Sequence, residues 1–431
     1  MRGIKPYYTK GRKDRRMRFA VIGSGPAGLY AALTLAQRAK VTLIEQNEKL
    51  GGTCVLYGCI PGKAMLKAAS LSAQAERLGK GLEFAFSEAQ ALARRASELV
   101  SKGEDYLLSD AGVEVVHGRA TLTGGTLRVN NETLRVDGVI VATGTKRPEG
   151  TASDDLPSLN DFHRIAIIGG GVGGVEYAWL LRKLGKEVHV YEAEDLLLPK
   201  HDLDLRRAVT SHFQKLGVKL HLKARARVEG NKVITEEGAQ EFDVVLFSFG
   251  RKPNLEGIEV PTDERGFVRV DRYMFTGISN VYAAGDVTGS FTAHEAMRKG
   301  IVAALNLLGQ RTAYDGTSVP KVIYIHPQIA YFGDVSNGDC VKVQVASLPR
   351  AVAERESEGF VKACFNEGRL AGTVAFSPEA EGVVTLASLM RGKRAEEILL
   401  EQIPHPSYLE AIWEAARQYL VKKGGVNSAR P

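Results

Sequence analysis

Long hydrophobic runs are missing from the 431 residues: no stretch of about 18 apolar residues occurs, which excludes a helix that crosses a membrane. The start carries no charged segment followed by an apolar core, so secretion is not expected. Cysteine is scarce. Cys54, Cys59, Cys340 and Cys364 are too few and too scattered for a disulfide-rich scaffold or a multi-cysteine zinc module, and Cys340 and Cys364 are expected to be packing residues. No histidine or further cysteine stands near Cys54 and Cys59, which argues against a metal there. The net charge of +7 makes no basic face either. Arg2, Lys5, Lys10, Arg12, Lys13, Arg15 and Arg16 stand against Asp14 alone in residues 1–16, and the rest of the chain is close to neutral. No nucleic-acid partner is therefore expected for the body of the chain. The basic tail has three readings: a flexible arm, a targeting segment, or a stretch upstream of the true start, since Met17 opens the first strand directly. What remains is an expected cytoplasmic protein of ordinary globular composition, 44% hydrophobic and 25% charged, too long for one core and expected to form two or three domains.

Glycine, by contrast, is present in a pattern. Arg18 to Ile22 reads as a buried strand, Gly23-Ser24-Gly25-Pro26-Ala27-Gly28 follows at once, a helix runs from Leu29 to Gln37, and a second strand from Lys40 to Ile44 ends at Glu45. The first glycine makes a tight turn, the second lets backbone approach a pyrophosphate, and the third packs helix on strand. The helix N-terminus offers N–H groups to the phosphates, and Glu45 can accept from an adenosine ribose. The unit recurs as strand Arg164 to Ile168, loop Gly169-Gly170-Gly171-Val172-Gly173-Gly174, helix Val175 to Leu184 and strand Glu187 to Tyr191 ending at Glu192. Two dinucleotide units in one chain suggest a flavin exchanging electrons with a nicotinamide. Glu192 welcomes a ribose 2′-hydroxyl and repels a 2′-phosphate, and no Arg or Lys occurs from Ala193 to Pro199, so NAD is expected over NADP.

From about Pro320 no third glycine loop occurs. Strand-like Val322 to Ile325 and Val341 to Val345, a hairpin of Phe360 to Phe365 with Leu370 to Ala375 around Asn366-Glu367-Gly368, and a last helix from Tyr408 to Val421 predict a separate α+β domain. Between the first unit and a long helix lies Gly51-Gly52-Thr53-Cys54-Val55-Leu56-Tyr57-Gly58-Cys59-Ile60-Pro61-Gly62-Lys63. On a regular helix, residues five apart sit about 140° apart and their sulfurs would not meet. Gly58 and Pro61 would distort that turn and allow a disulfide, which in such a protein is catalytic rather than structural; a pair of buried thiols is the alternative.

In these segments the chain from Met17 resembles the class I pyridine nucleotide–disulfide oxidoreductases, most of all their dihydrolipoyl dehydrogenase branch. The match runs through Gly23–Gly28, Gly51–Lys63, Ala142-Thr143-Gly144, Gly169–Glu176, Gly250-Arg251-Lys252-Pro253-Asn254, Ala284-Gly285-Asp286 and His405–Glu410, in the family's order. The resemblance implies an α/β fold with two Rossmann-like nucleotide-binding domains and a C-terminal α+β dimerisation domain. Residues 17–150 and 270–316 would bind FAD, 151–269 NAD, and 317–431 would form the dimer, after the tail of residues 1–16. It implies that Cys54 exchanges with substrate, that Cys59 lies against the flavin in a charge-transfer pair, and that Lys63 pairs with Glu176 beside the ring. Gly23, Gly25, Gly28, Glu45, Gly52, Thr53, Lys63, Gly144, Gly250, Asp286 and Ala293 would contact cofactor in the FAD part and its neighbourhood, and Gly169, Gly171, Gly174 and Glu192 would hold NAD. No metal is implied.

His405-Pro406-Ser407-Tyr408-Leu409-Glu410 is similar to the segment in which a histidine, oriented by a glutamate, deprotonates the incoming dithiol. The family takes that histidine from the partner subunit, which implies a homodimer. Ser407 and Glu410 also fit a capping box for the last helix, a purely structural alternative for Glu410. The implied activity is oxidation of dihydrolipoamide to lipoamide with reduction of NAD, in service of lipoyl domains of 2-oxoacid dehydrogenase or glycine cleavage complexes. The alternatives are an NAD(P)H-dependent reductase of another small disulfide, a diaphorase, and a flavoprotein recruited through its tail. Gly62, Leu56-Tyr57 and Ile403-Pro404 depart from the family's usual residues and bear on redox potential and substrate fit.

Overall fold

The computed structural model describes residues 17–147 and 150–424. The basic tail of residues 1–16 lies outside the described residues. The chain divides into two compact units, the first holding residues up to 62 with 90–149 and 250–315, the second holding 63–89, 150–249 and the residues from 316 onward.

In the first unit a five-stranded parallel sheet runs in the order Val281–Ala283, Gly138–Val141, β1 (Arg18–Ile22), β2 (Lys40–Glu45), β3 (Glu114–His117). Central β1 is covered on both faces, so Phe19, Ala20, Val21 and Ile22 form a continuous apolar run rather than an alternation. Helix α1 (Pro26–Ala36) packs its small residues on the helix Ala293–Leu307. The approach is close: a Cβ on Gly300 would lie 2.2 Å from the Ala27 carbonyl oxygen. The short α2 (Gly52–Leu56) follows β2, and the long α3 (Cys59–Arg77) starts after it. The long α4 (Phe86–Asp110) then sends Leu108 into the same core as Leu50.

The second unit contains another parallel sheet, in the order Lys219–Leu222, Glu187–Glu192, Arg164–Ile168, Val244–Phe247, Thr151–Ala152. Its C-terminal part is a five-stranded antiparallel sheet, Lys321–Ile323, Gln328–Gly333, Arg369–Ser377, Phe360–Asn366, Asp339–Gln344, with the helices Ala380–Leu389 and Glu410–Lys422 packed on one core. The hairpin turns at Glu367 and Gly368, both at positive φ. The α/β class with two Rossmann-like parallel sheets is thus as the sequence predicts. One expectation is corrected: Cys340 and Cys364 are joined by a disulfide. They face each other directly across the antiparallel strands Asp339–Gln344 and Phe360–Asn366, and this register, across a sequence separation of 24, brings the sulfurs together. No helix among the described residues is long and apolar enough to cross a membrane.

Candidate active site

The two glycine turns are built alike. Gly23 and Gly169 sit at φ +102° and +105°. A Cβ on Gly28 would lie 1.8 Å from the Gly23 carbonyl oxygen, and one on Gly174 would lie 1.9 Å from that of Gly169. The middle glycines differ: a Cβ on Gly25 or Gly171 would meet nothing within 4 Å, which leaves the open approach a pyrophosphate needs. No side chain caps α1 or the helix Val172–Lys183, whereas Asp202 caps Leu203–Lys215 through the N–H groups of Asp204 and Leu205. Helix starts without a side-chain cap behind glycine turns suit the phosphates of a dinucleotide.

The strand-end acids close each turn. Glu45 Oε2 accepts from the Ser24 N–H at 3.0 Å and its hydroxyl at 2.7 Å, while Oε1 accepts from the Asn47 N–H and Nδ2. Glu192 accepts from the N–H groups of Gly170 at 2.7 Å and Glu194 at 3.0 Å, which leaves half its lone-pair sites for a ribose. By the same count all of Glu45's sites are taken by Ser24 and Asn47, so a ribose there has to displace one of these bonds; the glycine turns themselves both fit a dinucleotide. Gly28→Ala is expected to cost about 1–3 kcal/mol in denaturant unfolding, because backbone cannot yield to the new methyl. Gly25→Ala should leave that stability unchanged and weaken only flavin retention, read from bound-flavin absorbance.

The cysteine pair sits where α2 breaks. Tyr57 ends α2, Gly58 follows, and Cys59 is the first residue of the 19-residue α3. Gly58 is needed there, since a Cβ would lie 3.0 Å from the Thr53 carbonyl oxygen. Gly52, at φ +55°, stacks its backbone on Gly25, so the start of α2 is fixed to the first glycine turn; the Gly51 N–H also donates to Ser24 Oγ at 3.0 Å. Cys54 and Cys59 form no disulfide but lie in hydrogen-bonding contact. That hydrogen bond, then burial, then the charges of Cys59, Glu104 and Asp286, push the Cys54 thiol far above its ordinary range. Cys59, at the positive end of a long helix, is the better thiolate. The pair is asymmetric: the contact with Cys59, burial and nearby charges hold the proton on Cys54, while Cys59 stands in the first turn of α3.

In the second unit Glu176 is half-buried, and desolvation pushes its carboxyl up to about 7, against the Tyr324 N–H and the charge of Lys63. Its Oε1 accepts the Tyr324 N–H at 2.6 Å. Lys63 makes no direct ion pair with Glu176 among the described residues. Its ammonium lies 3.0 Å from the centre of the Tyr324 ring, and burial lowers its pKa. Tyr324, which sequence reading missed, thus contacts both residues; it lies 148 positions from Glu176 and carries no local motif. In the first unit Asp286 opens the turn Asp286–Thr288 with its carboxyl pushed up to about 6, chiefly by burial. Ala293 begins the helix behind it. Gly144, at φ +66°, accepts the Asn254 N–H, and Gly250 also sits at positive φ. Thr53 lies in α2, one residue before Cys54.

His405 is largely exposed, at 66%, and its Nδ1 lies 2.8 Å from Glu410 Oε1. The other Glu410 oxygen accepts the Ser407 N–H at 2.8 Å, which is half of a capping box. Ser407 does not return the bond: its hydroxyl donates to the Pro404 carbonyl at 2.6 Å. Glu410 therefore orients the imidazole and starts the last helix at once. No group of three or more His, Cys, Asp or Glu among the described residues could hold a metal ion.

Comparison with known proteins agrees with this geometry. The family model described as pyridine nucleotide-disulphide oxidoreductase matches residues 17–300. The dihydrolipoyl dehydrogenase of Chlamydia muridarum (strain MoPn / Nigg) is 32% identical over 442 residues, covering 92% of this chain and 95% of that protein. Among solved structures, LpdA from Mycobacterium tuberculosis superposes with a TM-score of 0.85 at 25% identity, over 94% of this chain and 99% of that one. The HOCl-induced flavoprotein disulfide reductase RclA from Escherichia coli gives 0.83 at 25% identity, over 93% and 99%.

Proposed function

The chain belongs to the pyridine nucleotide–disulphide oxidoreductase family, and from that premise we propose that it oxidises dihydrolipoamide to lipoamide through Cys54 and Cys59 while reducing NAD+ to NADH. It is an NAD-dependent flavoprotein oxidoreductase, and its cofactors are FAD and NAD. In this reading residues 17–150 and 270–316 serve FAD, 151–269 serve NAD, and 317–431 carry a homodimer contact. The enzyme works in the cytoplasm on lipoyl domains of a 2-oxoacid dehydrogenase or glycine cleavage complex.

The observation that carries the proposal is the asymmetric cysteine pair. In the oxidised pair, a substrate thiolate attacks Cys54 Sγ. The bond to Cys59 breaks and Cys59 leaves as the thiolate that the start of α3 favours. The second substrate thiolate then attacks the mixed disulfide, closing the lipoamide ring and releasing Cys54. His405 of the partner subunit takes the substrate protons at Nε2, since Glu410 occupies Nδ1. Bound FAD supplies the two-electron link between the dithiol and NAD. Glu192, with no basic residue in the loop after it, favours the ribose of NAD over that of NADP.

The test is NAD reduction by dihydrolipoamide with the FAD-loaded protein. Turnover well above that with monothiols supports the proposal. No turnover, with a long-wavelength charge-transfer band still appearing on reduction by NADH, points to the second reading, a reductase of another small disulfide. The likeness to a flavoprotein disulfide reductase at nearly the same TM-score favours that reading over the remaining alternatives.

A further inference from the structure

In the first unit an acid sits where helical periodicity calls for an apolar residue. Ala93, Ser97, Ser101 and Leu108 are the buried positions along this part of α4, and Glu104 falls on the same stripe, between Ser101 and Leu108. Ser101 Oγ donates to the Leu50 carbonyl at 2.9 Å, and Leu108 and Leu50 share a core. This face of α4 therefore lies against the turn from which α2 and Cys54 start. Glu104 Oε2 is buried and has no hydrogen-bond partner among the described residues. Burial alone pushes the carboxyl up to about 7, and its charge reaches Cys54. A buried carboxylate without a counterion is costly, and the stripe supplies no structural reason for one.

We propose that Glu104 sets the charge selectivity of the Cys54 site, which accepts neutral or cationic disulfides and dithiols and disfavours anionic ones. The inference rests on the reading that Cys54 is the thiol that meets substrate, and it narrows the substrate class for that reading. Glu104 acts through the field at Cys54 and is a positioning residue, not a catalytic one. The ionisable groups that act on Cys54 are Cys59 at the start of α3, Glu104 and Asp286. Arg251, Glu295 and Lys299 act in turn on Asp286. On α4 itself Lys102 and Asp105 are exposed, and Lys102 is paired with Glu98. Below about pH 7 the carboxyl is neutral and selectivity fades; above it the carboxylate repels anions from the sulfur.

Alkylation of Cys54 tests this without assuming a substrate. The FAD-loaded enzyme is reduced with NADH and treated with iodoacetamide or iodoacetate between pH 6 and 9, and Cys54 labelling is read by peptide mass spectrometry. Both reagents need the same thiolate, so their rate ratio cancels the ionisation of Cys54 itself. In the natural protein the iodoacetate-to-iodoacetamide ratio should fall about three- to tenfold as pH rises through 7. Glu104→Gln and Glu104→Leu should flatten that fall while retaining bound flavin. A fall that persists in both variants, or no fall in the natural protein, overturns the proposal. The companion assay compares dihydrolipoamide with the anionic dihydrolipoate. If neither is turned over while the alkylation ratio behaves as expected, the lipoamide reading fails and the charge selectivity of the site stands.

Discussion

Cys59→Ser is expected to lower dithiol-driven NAD reduction by at least roughly 10³-fold, and Cys54→Ser to match it. The two losses have different causes. Without Cys59 no disulfide can form, and an incoming dithiol has no sulfur leaving group to displace. Without Cys54 the substrate has no sulfur with which to form the mixed disulfide from which Cys59 leaves, although Cys59 itself is exposed. The long-wavelength band on reduction should separate them: Cys54→Ser keeps the Cys59 thiolate and should show the band, whereas Cys59→Ser should not. The same assignment follows from the hydrogen bond between the thiols, which holds the proton on Cys54. A band that survives in Cys59→Ser and vanishes in Cys54→Ser would reverse the roles of the two cysteines.

His405→Gln is expected to reduce turnover by about 10²–10⁴-fold, the ordinary contribution of a positioned acid–base group. Glu410→Gln should reduce it by about tenfold or more, because the imidazole loses the carboxylate that fixes its tautomer. A hybrid dimer tests which subunit supplies the histidine. One Cys59→Ser subunit paired with one His405→Gln subunit retains a complete site only if histidine and cysteines come from different chains. In the proposed arrangement the hybrid regains about half of normal activity. An inactive hybrid would place His405 beside the cysteines of its own chain.

The parts of the molecule that were legible in the sequence are those fixed over short distances along the chain. Both strand–glycine–helix units are where the pattern put them, with each helix starting a few residues early because Pro26 and Val172 already lie in the first turn. The hairpin closes at Glu367 and Gly368 as read, and the break between the cysteine-bearing helices falls at Gly58. The last helix starts at Glu410 rather than Tyr408, because Glu410 accepts the Ser407 N–H and Ser407 turns back to Pro404. What was not legible depends on register and approach between distant segments. Cys340 and Cys364 read as packing residues because nothing local reveals that two strands set them opposite each other. Tyr324 beside Lys63 and Glu176, and Glu104 facing the start of α2, have no motif; only the assembled fold shows that one is a contact and the other a buried acid.

One carboxylate, that of Glu410, both orients an imidazole and begins a 13-residue helix. In the proposed mechanism the acid–base group and the start of that terminal helix thus share a single fastening. Tyr408, Ala411 and Ile412 at that helix start are fully buried in the core that also holds the antiparallel sheet, so if His405 is the base proposed above, its orientation should persist until that core melts. In the proposed mechanism, a core substitution under that helix, far from the sulfur chemistry, would then lower activity and stability together.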